Sequence, residues 1–223
     1  MRLAIVIPTL NERPHVDAVV AQALAAADEV VVADGGSSDG TAQRAAELGA
    51  RVVAGPPGRG RQLNLGVRAT TAEALLFLHA DTRLPDGAGP LACEALAGGA
   101  AGGGFRLRFD VERGILVLGG RLANLRSRLT GCPLGDQAQF ASRAAFDAVG
   151  GFRDWPLLED LDFIRRLKRY GRTVLLEPPV ITAARRFHDQ GIARTVGLNY
   201  LIWLLYFAGV SPHRLARLYR QIR

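Results

Sequence analysis

Lysine is almost absent from this chain. Lys168 is the only one, so nearly all of the positive charge behind the formal net charge of +7 is arginine. That scarcity leaves little room for Schiff-base chemistry, which needs a lysine amine. The planar guanidinium of arginine instead suits paired hydrogen bonds to phosphates and carboxylates. Cysteine is scarce too. Cys93 and Cys132 are the only two and form no Cys-x-x-Cys spacing, which argues against a disulfide framework and a cysteine zinc site. Long apolar runs are missing. The run after Arg2 is too short for a signal peptide and ends in a polar turn, so a cytoplasmic protein is expected. The later stretch 196–210 falls short of the ~20 residues that span a bilayer. With 223 residues, 48% hydrophobic and 22% charged, one substantial packed domain is expected. The basic balance suits nucleic acid, an anionic membrane surface or a diphosphate substrate equally.

What is present is an ordered alternation. Residues 3–7 (LAIVI) and 29–33 (EVVVA) are short apolar runs that read as buried strands, with 51–54 and 74–79 as a third and fourth. Residues 15–27, residues 41–48 closed by Gly49, and the stretch from the 55–61 loop to about Thr70 read as the helices between them. Such alternation implies βαβ units and a parallel sheet. Ligands of these sheets sit at the carboxyl ends of the strands. The polar clusters fall there: Asn11 and Glu12 after the first strand, Asp34 after the second, His79 to Asp81 after the fourth. The second half is less regular. Strands are expected at 102–109, 138–143 and 173–177, with a partly helical 114–131 and a charged helix at 158–170.

Each motif has a plain alternative. In Asp34-Gly35-Gly36-Ser37-Ser38-Asp39-Gly40-Thr41, the glycines allow tight turns and Asp39 or Thr41 can cap a helix. A connector is therefore as good a reading as a base or ribose contact from Asp34. Gly58-Arg59-Gly60-Arg61 lacks the third glycine of a dinucleotide loop and the Gly-Lys-Ser/Thr of a phosphate loop. Its arginines suit a diphosphate, or solvent. In His79-Ala80-Asp81, a carboxylate ending a buried strand is costly unless paired or metal-bound, and oxygen ligands suit Mg2+ or Mn2+. Helix capping is the alternative. In Leu158-Glu159-Asp160-Leu161-Asp162, acidic residues complement a helix N-terminus or supply a general base for a hydroxyl acceptor. Arg185 and Arg186 suit a leaving diphosphate; His188 is a third metal ligand or a bystander.

Taken in order, PTLNE, DGGSSDGT, a Gly/Arg loop ahead of Asn64, strand-HAD and a late Glu-Asp resemble the family 2 glycosyltransferases of the GT-A fold. The resemblance covers essentially the whole chain and is best over the first 85 residues. The whole is similar to a small bacterial subfamily of radical-SAM/selenodomain-associated transferases, and more distantly to carotenoid-acid glycosyltransferases. The resemblance implies an α/β fold with a mostly parallel twisted sheet flanked by helices. It implies a glycosyltransferase domain over 1–190 and a C-terminal helical appendage over 191–223. It also implies transfer of a sugar from a nucleotide-diphosphate sugar to a hydroxyl acceptor, with inversion and a divalent metal, Mn2+ or Mg2+. Residue by residue, Pro8, Thr9, Asn11 and Glu12 would line the nucleotide pocket, Asp34 would meet the base, and Arg59 and Asn64 would lie near the nucleotide. Asp81 would bind the metal as the last residue of the family's DxD signature. Asp160, backed by Glu159, would be the base, Gly135-Asp136-Gln137 would sit near the acceptor, and Arg185 and Arg186 near the diphosphate. The first acidic position of DxD is His79 here, which could reach the ribose or the metal.

Residues 191–208 read as an apolar helix and 213–223 as a short basic amphipathic one. This pair either packs on the sheet or lies on an anionic membrane, with Tyr200, Trp203 and Tyr206 at headgroup level, where a lipid-linked acceptor would be in reach. A nucleotidyltransferase would want a glycine-rich loop after the first strand, which PTLNE is not. A nucleotide-binding pseudoenzyme fits the histidine at position 79. A nucleic-acid module would interleave aromatics with arginines, whereas here the aromatics sit mostly in apolar runs, so no nucleic acid is expected.

Overall fold

The computed structural model describes residues 1–111, 114–184 and 192–222. It begins with β1 (Leu3–Thr9), α1 (Arg13–Ala26), β2 (Glu29–Asp34), α2 (Thr41–Glu47), β3 (Arg51–Ala54), α3 (Arg59–Arg68) and β4 (Ala74–Phe77). β1 pairs in parallel with both β2 and β4, and β2 with β3. Strands covered on both faces read as unbroken apolar runs, which is why LAIVI and EVVVA stood out. The helices bury the expected one face: Val16, Val19, Val20 and Ala23 of α1 recur at helical spacing. α3 lies so close to the sheet that a Cβ on Gly66 would stand 2.4 Å from Val6 Cγ1.

The rest comprises β5 (Thr82–Arg83), α4 (Ala88–Ala97), β6 (Gly102–Phe109), α5 (Ile115–Thr130), a 3-10 turn (Gly135–Gln137), β7 (Phe140–Ser142), α6 (Arg143–Ala148), α7 (Glu159–Tyr170), β8 (Thr173–Thr182), α8 (Ile192–Phe207) and α9 (Pro212–Ile222). The sheet order is β3-β2-β1-β4-β7-β6-β8-β5. β7 runs antiparallel to β4 and β6, β6 and β8 are parallel, and β5 is antiparallel to β8. The sheet is thus mixed: wholly parallel from β3 to β4, reversing beyond. β8 also runs past the expected end at Glu177. Pro178 and Pro179 lack the N–H a ladder needs, and pairing with β6 resumes at Leu107↔Val180 after a register shift.

Two details position the functional end. A phenylalanine cluster joins β4 to α7: Phe152 stacks on Phe163 at 4.2 Å between centroids, and Phe77 meets Phe152 edge-on at 4.9 Å. Since Phe77 ends β4 just before His79, this cluster sets the start of α7 against that turn. α5 is pinned on β6 by Asn124, whose amide accepts from Leu107 N–H at 2.7 Å and donates to its carbonyl at 2.8 Å. The C-terminal helices pack on the domain through Leu198, Ile202 and Leu215 against Leu158 and Leu161. Trp203 and Tyr206 are half-buried, under Arg126 and Arg165, so of the three aromatics assigned to a membrane only Tyr200 stands exposed. No described helix is long and apolar enough to cross a membrane.

Candidate active site

β1 and β2 end side by side, with Thr9 opposite Asp34, and the loops leaving them brace each other. The Asp34 carboxylate, 2% exposed, accepts from Thr9 Oγ1 at 3.0 Å, Gly36 N–H at 2.9 Å, Ser37 N–H at 2.8 Å and the Ser37 hydroxyl. Burial works against its charge, yet those hydrogen bonds outweigh it and hold the carboxyl below the ordinary aspartate range. Asn11, at φ +56°, donates its N–H to Ser37 Oγ and accepts the Ser38 N–H on Oδ1, each at 2.9 Å. Glu12 N–H reaches Thr41 Oγ1, and Arg13 N–H reaches Asp39 Oδ2, each at 3.0 Å. Gln62 closes this floor from α3: its amide donates to the carbonyls of Thr9 at 2.7 Å and Ala33 at 2.9 Å and accepts from Gly58 N–H at 3.2 Å.

Two residues expected at the nucleotide have partners within the protein. Asp34, expected to meet a base, has the acceptor positions of its carboxylate taken by Thr9 of β1 and by Gly36 and Ser37 of its own loop, and so it shapes the floor. Asn64 was expected near the nucleotide. Its amide is spent on the backbone of Phe152, donating at 2.7 Å and accepting at 2.9 Å, and so docks α3 on the loop before α7. Thr9 is likewise buried against Asp34, while Pro8 is half-buried and Asn11 and Glu12 form the braced turn.

Across the floor the charged groups converge. Arg59, opening α3, reaches Glu159, opening α7, at 3.0 Å; the Glu159 side chain is 3% exposed and that of Arg59 45%. Burial raises the Glu159 carboxyl against the pull of Arg59. Burial also opposes the Arg59 charge, but Glu159, Asp160 and Asp81 more than restore it. The Asp160 carboxylate accepts from Gly135 N–H at 2.7 Å and from Leu161 N–H at 2.8 Å. A Cβ on Gly135 would lie 3.0 Å from both Asp160 Oδ2 and His79 Nε2, so that glycine is the wedge that lets carboxylate and imidazole share one spot. Asp136 follows directly. Its Oδ1 is buried without a hydrogen bond, and burial, opposed by Arg126 and reinforced by Asp160 and Asp81, pushes its carboxyl up to about 6. Arg126, stacked over Trp203 at 4.9 Å, has its own charge weakened by burial.

Asp81 is exposed; its backbone carbonyl accepts from Ala183 N–H at 3.2 Å, but its carboxylate takes no hydrogen bond from any described residue, which leaves those hard oxygens open to a cation. Among the described residues no three His, Cys, Asp or Glu side chains form a metal cage by themselves. Asp81 therefore suits a Mg2+ or Mn2+ only if other ligands, such as diphosphate oxygens and water, were to complete the coordination. Arg185, Arg186 and His188 lie outside the described residues. The structure thus brings together His79, Asp81, Arg59, Glu159 and Asp160. Gln62 and Arg126 were not anticipated. Gln62 lies only two residues before Asn64, but nothing in its neighbours signals that it faces two strand ends.

The profile of Glycosyl transferase family 2 matches residues 4–129. An uncharacterized glycosyltransferase of Mycobacterium tuberculosis is 38% identical over 86 residues, which is 38% of this chain and 39% of that protein. An uncharacterized glycosyltransferase of Mycobacterium bovis aligns to the same extent. The aligned region thus spans about two fifths of these curated relatives. Among solved structures, glucosyl-3-phosphoglycerate synthase from Mycobacterium tuberculosis, in complex with Mn2+, UDP and phosphoglyceric acid, is similar with a TM-score of 0.57. It shares 27% identity, over 82% of this chain and 68% of that one. TarS residues 1–349 from S. aureus shares the fold, with a TM-score of 0.61 at 18% identity over 88% and 64% of the two chains. With more than half of its length matched by the family's profile, the chain belongs to glycosyl transferase family 2.

Proposed function

We propose that this chain transfers a sugar from a nucleotide-diphosphate sugar to a hydroxyl acceptor, with inversion at the anomeric carbon. The observation that carries this reading is the placement of Asp160: a carboxylate oriented by Gly135 N–H at 2.7 Å, beside His79, at the carboxyl end of the parallel strands. Asp160 takes the proton of the acceptor hydroxyl as its oxygen bonds to the anomeric carbon, and the bond to the diphosphate breaks with its electron pair leaving on phosphate. Glu159 keeps Arg59 in place, and Arg59 offers positive charge to the diphosphate. Asp81, with His188 as a further candidate, would hold Mn2+ or Mg2+; when bound, that ion neutralises charge developing on the diphosphate. The Mn2+ and UDP in the similar glucosyl-3-phosphoglycerate synthase support this choice of cofactor and donor. Arg185 and Arg186 are proposed beside the diphosphate.

A peripheral place on the inner face of the plasma membrane completes the reading. Tyr200, Leu204 and Phe207 of α8 are 61%, 69% and 58% exposed, and α9 adds the exposed Arg214 and Arg217. A lipid-linked acceptor would be within reach there. The test is Asp160→Asn, assayed for transfer from UDP-, GDP- and dTDP-sugars with Mn2+. Transfer is expected to vanish while nucleotide still raises the unfolding temperature. Wild-type turnover in the variant would overturn the base assignment.

A further inference from the structure

α5 is apolar on the wrong side. Its inner face, with Leu116, Gly120, Asn124 and Ser127 buried, already packs on β6. A surface helix then normally turns polar residues outward. Here the outward row is Ile115, Leu118, Leu122, Leu125 and Leu129, exposed by 64%, 54%, 47%, 53% and 75%. The row repeats at alternating spacings of three and four, so it forms one straight stripe of ~20 Å along the helix. Nothing in the described chain covers it.

The charges beside the stripe decide what does. α5 carries arginines and no acidic residue: Arg121 and Arg128 on one flank, Arg126 on the other. The first flank borders two grooves between α5, β6 and β8, of about 580 and 610 Å3, lined in part by Arg83, Arg106, Arg108, Arg121 and Arg128. The acidic side chains of these grooves are engaged, Glu177 with Arg106 and Asp110 with Ala184 N–H at 2.7 Å. Arg83, Arg108, Arg121 and Arg128 have no counter-charge among the described residues. A second copy laid on the stripe would set arginine flanks against arginine flanks, which disfavours self-association. A surface that is apolar and rich in phosphate answers both features. On the other flank Arg126 stacks on Trp203 of α8, so the exposed face of α8 adjoins the stripe.

We infer that α5 lies on an anionic bilayer, its leucine stripe entering the acyl boundary and the flanking arginines meeting lipid phosphates. This rests on the peripheral placement proposed above and makes α5 its principal contact. The C-terminal end of α5 leads within a few residues to Gly135 and Asp136, so the membrane face opens toward the acceptor side of the site.

The experiment is flotation with vesicles of phosphatidylglycerol and phosphatidylcholine, against pure phosphatidylcholine, at low salt. The chains compared are wild type, Leu122→Gln/Leu125→Gln, Arg121→Gln/Arg128→Gln and Arg214→Gln/Arg217→Gln. Wild type is expected to float with the anionic vesicles only. Both α5 variants should partition at least ~tenfold more weakly, at about fivefold per arginine, while keeping wild-type unfolding temperature and nucleotide binding. Loss in the α9 variant alone, with the α5 variants floating normally, would overturn the inference and leave the peripheral placement standing. Absence of flotation by wild type would overturn both, and the transferase assay would remain the test of the activity. A concentration-dependent dimer that Leu122→Gln/Leu125→Gln abolishes would assign the stripe to a second copy and also overturn it.

Discussion

Replacing Asp136 with asparagine should make the protein more stable, not less, and only above acidic pH. The Asp136 carboxyl is raised from 3.8 to about 6, chiefly by burial, and this already includes the attraction of Arg126. The folded state therefore favours the protonated form. Below pH ~4 the group is protonated in both states and costs nothing; between pH ~4 and about 6 the unfolded chain releases the proton while the fold retains it, so the cost grows over that range and is complete above about 6. A shift of ~2 units at 1.36 kcal/mol each amounts to ~3 kcal/mol at neutral pH. Asparagine never ionises, so the variant escapes that cost. Its amide nitrogen, placed among buried groups, returns ~1 kcal/mol for lack of a partner. The net gain is ~2 kcal/mol at pH 8, or a rise of about 4–8 °C in unfolding temperature for a chain of this size. The assay is thermal and urea unfolding of both proteins at pH 4.5 and pH 8, free of divalent metal and nucleotide. A variant less stable than wild type at pH 8, or an equal difference at both pH values, would refute the reasoning. That a native carboxylate should destabilise its own fold is the expected signature of a side chain kept for function.

Arg59→Ala strands the Glu159 carboxylate, 3% exposed, without its counter-ion; a loss of ~3 kcal/mol is expected in urea unfolding at pH 8, shrinking as the pH is lowered and the burial-raised Glu159 carboxyl takes up a proton. Gln62→Leu leaves the Thr9 and Ala33 carbonyls without their donor, at ~2 kcal/mol, and the stabilisation by UDP-sugars should weaken with it. Gly66→Ala drives a methyl to 2.4 Å from Val6 Cγ1 and should cost ~1–3 kcal/mol by overpacking, with nucleotide affinity lowered because α3 carries Arg59 and Gln62. Chelation by EDTA should stop transfer and Mn2+ should restore it; transfer that persists at wild-type rate after chelation refutes a role for the metal at Asp81.

The parallel half of the fold was readable because physics wrote it in unmixed form. LAIVI and EVVVA are buried on both faces and so carry no polar interruption. α4 escaped notice because its sequence, AGPLACEALA, lacks a contrasting polar face. The expected strand ends at Glu177 because two prolines ordinarily end a strand, and it is the pairing of Val180 to Thr182 with β6, and of Ile181 and Thr182 with β5, that shows β8 continuing. At the site, carboxylates at strand and helix ends were legible as positions. Their partners were not. Whether Asp34 faces a ligand or its own loop depends on where Ser37 and Thr9 point, and whether Asn64 faces a nucleotide depends on Phe152, 88 residues away. Spacing along the chain holds no trace of either.

The reversal of strand direction at β4 and β7 matters for how this molecule could be rebuilt. Everything that braces the floor, from Thr9 to Gln62, belongs to one side of that boundary; Gly135, Asp136 and Asp160 belong to the other. The two sides are stitched by the short ladder from Ala74↔Ser142 to Leu76↔Phe140, by the phenylalanine cluster, by the Asn64 amide on Phe152, by Arg143 on the carbonyls of Val67, Thr70 and Ala72, and by the Arg59–Glu159 clasp. A chimera cut after β4, retaining Phe77 and Arg59, should accept a foreign second half as a cassette, inheriting its choice of acceptor while leaving the donor side as it stands.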